Sequence, residues 1–402
     1  MTEELPRRIA ITVGALLLYR LGTYIPMPGV DPVVWEQIFR SQAGGILGSL
    51  NVMAGGGIHR LAIFALNVVP YVTAAILLQL ATMVSHRLRA LAREGERGRA
   101  VIERHTRILA LVLALLQSYG IARGLEGVNG VVTHPGSSFI VSTVITLSGG
   151  MLFLVWLNSQ ITLHGIGNGI ALLIVVGIVA ELPATIAGAL ELGRMGLVTG
   201  NGLAALALTM IVAIALVVVM ELARRRIPVE YAARPGTPPI SAGRSDLNLK
   251  LNAAGVIPVF LASFFLGVPV ALSTFIGAGE PTWFGSGRPL YLVLYAALII
   301  LFAFLYTAFV LDPEEAAENL GKLAGTIAGI EPGEPTAAHL DQTVSRTTTI
   351  GAAYLALICL LPHVMIGLAG VPFYFGGTSL LLVVCTALDL VAQVQGMARN
   401  SR

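Results

Sequence analysis

The fold is decided by one stretch, Gly44 to Leu80, which reads GGILGSLNVMAGGGIHRLAIFALNVVPYVTAAILLQL. Residues 61–84 are apolar and numerous enough to cross a bilayer as a helix. The part before them is also apolar, but glycines interrupt it at 44, 45, 48 and 55–57. Because glycine weakens helices, and non-helical backbone at membrane depth must be buried in protein or line water, this pattern predicts a re-entrant segment inside a cavity. On composition alone, an external loop with some apolar residues is the simpler interpretation.

Composition places the chain among polytopic membrane proteins. It has 402 residues, of which 55% are hydrophobic and 12% charged, whereas soluble domains carry about 25% charged residues. The two cysteines, Cys359 and Cys385, fall in apolar runs, which excludes a disulfide framework and a zinc ribbon. The apolar run near the N-terminus lacks a small-residue cleavage site, so we expect a retained first span.

Apolar windows of spanning length predict an all-α protein with ten transmembrane helices. The windows fall at about 8–25, 61–84, 108–124, 139–157, 170–187, 203–222, 253–275, 289–311, 347–368 and 376–394. Ten helices divide into a half at 1–187 and a half at 188–402. Because five helices per half is an odd number, the halves would have opposite orientations, as in an inverted repeat with its functional site between them. We find no residue-level similarity between the halves.

Orientation is predicted from the lysines and arginines. With both termini in the cytoplasm, 19 of the 25 lysine and arginine residues lie on the cytoplasmic side, 5 lie outside and Arg20 lies within the first span. This bias predicts cytoplasmic N- and C-termini. Two cytoplasmic loops, 85–107 and 223–250, are basic, and such loops usually serve topology or anionic lipid. The loop at 312–346 instead carries seven acids and is expected to be a docking arm.

Sequence signatures of enzymes are missing. The chain contains no P-loop, no dinucleotide-binding turn, no HExxH and no nucleophile elbow, and its seven histidines are scattered without metal-ligand spacing. Arg20 and Asp389 are the clearest charged residues within the spans, while Glu181 and Glu221 are expected near helix ends. The scarcity of carboxylates inside the membrane argues against proton-coupled transport of small solutes. We therefore expect no catalytic residues, no metal and no cofactor.

Aliphatic and polar residues inside the spans have ordinary structural interpretations. Val68 with Val72, and Ile170 with Ile174, are four residues apart and share a helix face, which by pattern indicates lipid contact or core packing. Three polar residues also fall within spans, and they are expected to hydrogen-bond between helices. They are Gln79, Gln117 and Asn252.

Seven segments resemble the SecY family of bacterial protein-translocase channels along nearly the whole chain. They are YRLGTYIPMPGVD (19–31), IFALNVVPYVTAAILLQL (63–80), GERGRAVIERHTR (95–107), ITLHGIGNGIALLIVVGIVAELP (161–183), LNAAGVIPVFLAS (251–263), PGEPTAAHLDQTVSRTT (332–348) and FYFGGTSLLLVVCTALDLVAQVQ (373–395). GIGNG, AGVIP and FYFGGTSLL in this order and spacing are highly specific.

The resemblance implies a central hourglass pore that is closed by a plug and a ring of apolar side chains. The plug would be the segment 45–57, with Gly45, Ile46, Leu47, Leu50, Met53 and Gly55 as its members. The ring would be formed by Val68, Val72, Ile170, Ile174, Phe260 and Leu382. Phe260 is bulkier than the aliphatic residue expected at its position. A ring of this kind excludes water and ions when closed, yet it binds a passing polypeptide only weakly.

The resemblance also implies a lateral gate between helices two and three of one half and helices seven and eight of the other, tuned by Gln79, Gln117 and Asn252. The implied partners are SecE-like and SecG-like small membrane subunits, a SecA motor or a ribosome, signal peptides and nascent polypeptides, and anionic lipids. Nucleic acid is not expected to bind outside ribosome docking. The implied location is the bacterial cytoplasmic membrane.

One residue departs from the family pattern. Family members carry an arginine just before the PGE of the fifth cytoplasmic loop, where this chain has Glu331. Charge reversal at a contact commonly costs several kcal/mol. The residues implied in docking are Arg224, Arg225, Arg226, Arg234, Glu331 and Glu334. Either the partner has compensated, or the chain is a specialised paralogue with another motor. A secondary transporter and a non-conducting membrane scaffold are the alternatives from other classes.

Overall fold

The computed structural model describes residues 4–42, 51, 54–196, 199–231, 243–275, 289–323, 325–369 and 377–400. In chain order its elements are α1 (Glu4–Gly22), α2 (Pro32–Gln42), α3 (Val69–Val84), α4 (His86–Arg93), α5 (Glu96–Glu126), α6 (Ser137–His164), α7 (Gly169–Arg194), α8 (Gly200–Leu222), β1 (Arg224–Tyr231), β2 (Gly243–Lys250), α9 (Ile257–Phe275), α10 (Pro289–Val310), α11 (Pro313–Lys322), β3 (Gly325–Ile327), α12 (Glu334–Ala369) and α13 (Gly377–Asn400).

Each of the ten predicted windows overlaps a helix, and the all-α prediction is confirmed for the membrane part of the chain. In the described ranges, seven helices are long and apolar enough to cross a bilayer. An eighth candidate span is α3 together with α4, which meet at a bend of 108°. The remaining two windows are carried by α1, which has charged residues near both ends, and by α9. The chain is a multi-pass membrane protein.

One predicted helix is shorter than its window. The window at 61–84 predicted a continuous span, but the helix begins only at Val69, next to Pro70. Proline is favoured in the first turn of a helix because it has no N–H to donate there and its φ angle is already helical. The sixteen residues of α3 span about 24 Å at 1.5 Å per residue, less than the ~30 Å hydrocarbon core. Residues 54–68 therefore carry the chain to α3 without a helix.

The chain divides into two compact units, residues 1–203 with 368–402 and residues 204–367. These units group α13 with the first helices, whereas the predicted inverted halves divide the chain after residue 187. A grouping by contacts does not test a repeat relationship, so the boundary of the two halves after residue 187 stays a prediction.

In the first unit, small side chains let the helices approach closely. One buried cluster contains Ala74 of α3, Ala110 and Ala114 of α5, and Met151 of α6. Close packing through alanine is typical of helix contacts in membranes. Lipid tails are as apolar as the helix side chains, so helices associate through close packing and not through the hydrophobic effect. A buried hydrogen bond at 3.2 Å between the hydroxyls of Ser118 and Ser148 adds a polar link between α5 and α6.

In the second unit, a small folded body adjoins the spans. Strand β1 pairs antiparallel with both β2 and β3, giving the order β2–β1–β3. Strands β1 and β2 thus form a hairpin in the basic loop at 223–250, and its tip at 232–242 lies outside the described residues. The sheet covers a core with α11 and the start of α12, and we call this body the sheet platform. Its buried residues are Ile227, Val229, Ala317, Leu320, Ile327 and Leu340.

Replacing Leu320 by alanine is expected to loosen the sheet platform. Leu320 is buried in its core, and a buried Leu→Ala change costs about 2–5 kcal/mol. We therefore expect amide hydrogen exchange in β1 and β3 to accelerate at least about tenfold, since exchange there requires the platform to open. The matched control is Leu323→Ala, because Leu323 is 63% exposed. Equal exchange rates in Leu320→Ala and in the parent protein would show that the platform does not depend on this core.

Candidate functional site: the buried segment before helix α3

Residues 54–68, which we call the buried segment, are mostly buried although they form no helix. The segment pairs with residues 25–27, where Ile63 N donates to Ile25 O at 3.0 Å and Met27 N donates to Leu61 O at 2.8 Å. Turns within the segment satisfy further groups, as where Ala62 N donates to Gly57 O at 2.8 Å. These bonds meet the requirement that buried backbone polar groups find partners. For these residues the structure favours the re-entrant interpretation over an external loop.

Asn67 holds the junction between the buried segment and α3. Its φ angle of 48° is unusual for a residue with a side chain, although asparagine tolerates it better than most. Its side chain accepts a hydrogen bond from Val68 N at 2.8 Å and its amide nitrogen donates to the hydroxyl of Tyr19 at 3.4 Å. The left-handed backbone at Asn67 turns the chain into the first turn of α3.

A stack of aromatic rings fixes the middle of the segment to its neighbours. The ring of Phe64 stacks on Tyr19 of α1, with centroids 6.3 Å apart, and on Phe153 of α6, at 5.8 Å. Gly22 in α1 makes room for the Phe64 ring, since a Cβ at that position would collide with it. Aromatic pairs of this kind contribute about 0.5–1.5 kcal/mol each beyond the apolar area that they bury.

Two arginines converge on one backbone carbonyl at the start of the buried segment. Arg20 of α1 donates from Nη1 to the Gly55 oxygen at 2.6 Å, and Arg60 donates from Nη1 to the same oxygen at 3.4 Å. Both guanidinium groups also face Glu181 of α7, whose Oε1 lies 3.7 Å from Arg20 Nη2 and 3.4 Å from Arg60 Nη2. We call Arg20, Arg60 and Glu181 the charged cluster.

The ring of Tyr24 completes the surroundings of the charged cluster. The Cζ atoms of Arg20 and Arg60 lie 4.8 and 4.4 Å from its centroid, and Arg20 Nη2 donates to its hydroxyl at 2.9 Å. Cation–π contacts contribute about 0.5–1 kcal/mol at exposed sites and more where water is excluded.

Glu181 does not lie where the sequence predicted. It was expected near a helix end, but α7 continues through Pro183 to Arg194, so Glu181 lies close to the middle of the helix. Its side chain is 14% exposed, and those of Arg20 and Arg60 are 23% and 29% exposed. Removing one partner of such a shielded ion pair typically costs about 3–5 kcal/mol, because a charge is left without compensation.

Two glycines bring the buried segment into backbone contact with α7. A Cβ on Gly55 would lie 2.8 Å from the Cα of Gly177, and a Cβ on Gly177 would lie 3.2 Å from the Cα of Gly55. Gly55 also has φ = +62°, which residues with a Cβ rarely adopt. The contact therefore requires glycine on both sides.

Helix α2 contacts another part of the segment. Trp35 Nε1 donates to Ile58 O at 2.9 Å, and the ring of Phe39 meets that of His59 edge-on at 5.1 Å. Asn51 is buried, and its side chain accepts a hydrogen bond from His59 N at 2.7 Å while its carbonyl accepts one from Gly56 N at 2.9 Å. The chain entering the segment is thus anchored at Asn51.

Most members of the predicted plug fall outside the described residues. These are Gly45, Ile46, Leu47, Leu50 and Met53. Gly55 is described, and its carbonyl is the acceptor at the charged cluster. The plug itself stays a prediction, while its C-terminal end is placed at the charged cluster.

Five of the six residues predicted to form the pore ring belong to the first unit. Val68, Ile174 and Leu382 are buried, and Val72 and Ile170 are half-buried. Ile170 packs against the cluster that contains Tyr71 of α3, and α13 contacts α7. Phe260 is half-buried in α9 of the second unit. The ring stays a prediction.

The predicted gate residues have these surroundings. Gln79 and Gln117 are half-buried in α3 and α5 of the first unit. Asn252 is buried in the second unit, where its Nδ2 donates to Glu221 Oε1 at 2.7 Å and to Gly255 O at 3.3 Å. Within the second unit Asn252 therefore links the end of α8 to the start of α9. A gating role for these residues stays a prediction.

The predicted docking residues lie on the sheet platform and its edge. Arg224, Arg225 and Arg226 are exposed on β1, and Glu331 and Glu334 are exposed at the turn leading into α12. Thr336 caps that turn by donating from its hydroxyl to Glu331 O at 2.8 Å. Arg234 lies outside the described residues. In the described ranges, no group of three His, Cys, Asp or Glu side chains is arranged to hold a metal ion.

Comparison with known proteins gives a consistent result. The SecY family model matches residues 62–391. The protein translocase subunit SecY of Escherichia coli (strain K12) is 43% identical over 411 residues, covering 99% of this chain and 93% of that protein. The subunit of the same name from Vibrio cholerae is 43% identical over 406 residues, covering 98% and 91%.

Solved structures share the fold. One described as "The structure of a protein conducting channel" aligns with a TM-score of 0.70 at 18% identity, covering 97% of this chain and 92% of that one. Sec61 in the canine ribosome-channel complex aligns with a TM-score of 0.66 at 16% identity, again covering 97% and 92%. Since the family model spans most of the chain and the relatives match nearly all of it, this chain belongs to the SecY family.

Proposed function

We propose that this chain is the protein-conducting channel of a membrane translocase. It passes unfolded secretory polypeptides across the cytoplasmic membrane and releases the helices of membrane proteins sideways into lipid. The observation that carries the proposal is the buried segment, a non-helical stretch with paired backbone that joins the predicted plug to α3. Irregular backbone of this kind fits a protein that encloses a cavity at membrane depth.

The residues predicted to form the pore ring suit a polypeptide channel. Aliphatic side chains block ions by excluding water, and they offer a passing chain no fixed charge or hydrogen bond that would hold it. Val68, Ile174 and Leu382 are such side chains, and they come from the buried segment, α7 and α13 of one unit. The plug would add a second, removable barrier.

The proposed partners follow from the family and from the charge pattern. SecE-like and SecG-like subunits would lie beside the channel in the membrane, and a SecA motor or a ribosome would dock at the sheet platform. The three arginines of β1 are exposed there, as a docking site for an acidic surface requires. Both termini would lie in the cytoplasm, because the lysine and arginine bias predicts it. The basic loop at 85–107 would face anionic lipid.

A secondary transporter is the second candidate, and Glu181 is the observation in its favour. A carboxylate near the middle of a spanning helix is a common feature of ion-coupled carriers. Here, however, that carboxylate is already paired with two arginines, whose Nη2 atoms lie 3.7 and 3.4 Å from its Oε1. Substrate-dependent counterflow in vesicles would support the transporter.

Deleting residues 45–57 is expected to leave a folded but leaky protein. The deleted residues close the pore, whereas the helices that bear the scaffold stay intact. The measurement is ion flux through vesicles containing the parent or the deletion variant at equal protein density. We expect a several-fold rise in flux. Equal flux in the two preparations would show that these residues are not a plug.

Widening the apolar ring is expected to raise ion leak without preventing folding. Val68→Gly combined with Ile174→Gly removes two buried side chains at the predicted constriction. We expect a several-fold rise in ion flux. The control is Val84→Gly in α3 with Val179→Gly in α7, where the side chains are 88% and 45% exposed. If the buried pair and the exposed pair change ion flux equally, Val68 and Ile174 do not close the pore.

Reversing the charge at Glu331 tests the docking partner. The protein is reconstituted with the SecE-like subunit and the SecA motor of its own host, and preprotein translocation is measured. We expect the parent to support translocation and Glu331→Arg to lose at least about tenfold in rate, because charge reversal at a contact weakens docking. Glu4→Arg, at an exposed acid of α1, is the control. If only Glu331→Arg translocates with this motor, the natural protein serves a different partner.

A further inference from the structure

We propose that Glu181 is the positioning residue of a latch that holds the C-terminal end of the plug in the closed channel. The latch consists of the charged cluster, Arg20, Arg60 and Glu181, and the carbonyl oxygen of Gly55. This inference rests on the proposed channel function. It goes further because it attributes part of the stability of the closed state to charged residues that are not members of the predicted pore ring.

The geometry makes Glu181 the common partner of both arginines. Arg20 and Arg60 each place Nη2 toward Glu181 Oε1, at 3.7 and 3.4 Å, and each donates from Nη1 to Gly55 O, at 2.6 and 3.4 Å. Without the carboxylate, two like charges would share one neutral acceptor and repel one another. Glu181 is therefore what allows both guanidinium groups to stay on the Gly55 carbonyl.

The latch joins three parts of the chain that are far apart in sequence. Arg20 belongs to α1, Glu181 belongs to α7, and Arg60 and Gly55 belong to the buried segment. Gly55 also touches Gly177 one helical turn before Glu181, so the charged contacts and the backbone contact hold the same peptide. A movement of the predicted plug away from its closed position must pull on this peptide, because Gly55 is a member of the predicted plug.

Energetic linkage gives the latch its role. A channel exchanges between closed and open states, and interactions made only in the closed state lower the open population. A signal sequence opens the channel by binding the open state more tightly than the closed state. The stronger the latch, the larger this difference in affinity must be. Weakening the latch should therefore raise ion leak and should also let signal sequences of lower affinity open the channel.

The first test is Glu181→Gln, which keeps the shape of the side chain and removes its charge. Charge-assisted hydrogen bonds are roughly twice as strong as neutral ones, so we expect ion flux through vesicles to rise about tenfold. Translocation of a preprotein with a weakened signal sequence should rise several-fold, while that of the intact preprotein changes little. The control is Glu191→Gln, at an exposed residue of the same helix, which should match the parent.

The second test exchanges the charges. Glu181→Arg alone places three arginines together and should leak most, whereas Glu181→Arg with Arg60→Glu restores one carboxylate between two guanidinium groups. We expect the double variant to return to within about threefold of the parent flux. A damaged fold would lower translocation of both preproteins and would not be repaired by the exchange. The gain with the weakened signal sequence and the rescue therefore separate a latch from a structural role.

The plug deletion is assayed in the same vesicles to separate two kinds of failure. If the deletion leaks and Glu181→Gln matches Glu191→Gln in both assays, the latch is wrong and the channel function stands. If neither the deletion nor Glu181→Gln leaks, the latch falls together with the channel function on which it rests. If Glu181→Gln leaks but the exchange of charges fails to reduce the flux, Glu181 does not act through Arg60.

Discussion

The structure depends on one constraint, which is that backbone groups at membrane depth need hydrogen-bond partners. Helices meet it internally, and most of the described chain is helical for that reason. The buried segment meets it differently, through tight turns and through pairing with residues 25–27. Because its partners are supplied in this way, the chain can remain irregular beside α3. A removable plug needs such irregular backbone, since a rigid helix could not hinge at that point.

Periodicity and composition predicted the helices well, because length and apolar content decide whether a segment spans a bilayer. They failed at residues 61–68, where the residues are as apolar as those of α3 but the backbone turns at Leu61 and Asn67 with positive φ angles. Only tertiary contacts, such as the Asn67 side chain on Tyr19 and the Phe64 ring against Gly22, stabilise that conformation. Hydropathy contains no information about these contacts.

The charged cluster was missed for a related reason. Arg20 was recognised as a charge within a span, but its partner Glu181 is distant in sequence and was expected near a helix end, within the apolar window at 170–187. The proline is accommodated within α7, so the helix continues and Glu181 lies near its middle. The Gly55–Gly177 contact could not be predicted either, because the sequence does not show which residue a given glycine approaches in the fold. The resemblance to a known family predicted the plug, whereas the contact that holds Gly55 required coordinates.

The sheet platform has a mechanical consequence. Its core joins β1, β3 and α11 to Leu340, which lies in the first turns of α12. From there α12 runs as one helix of 36 residues, about 54 Å at 1.5 Å per residue. A force applied to the hairpin would therefore be shared by the turn at residues 331–334 and by the base of this long helix. Pro362 lies near the far end of α12, so the helix between the platform and that proline is the part that can carry the force as one body.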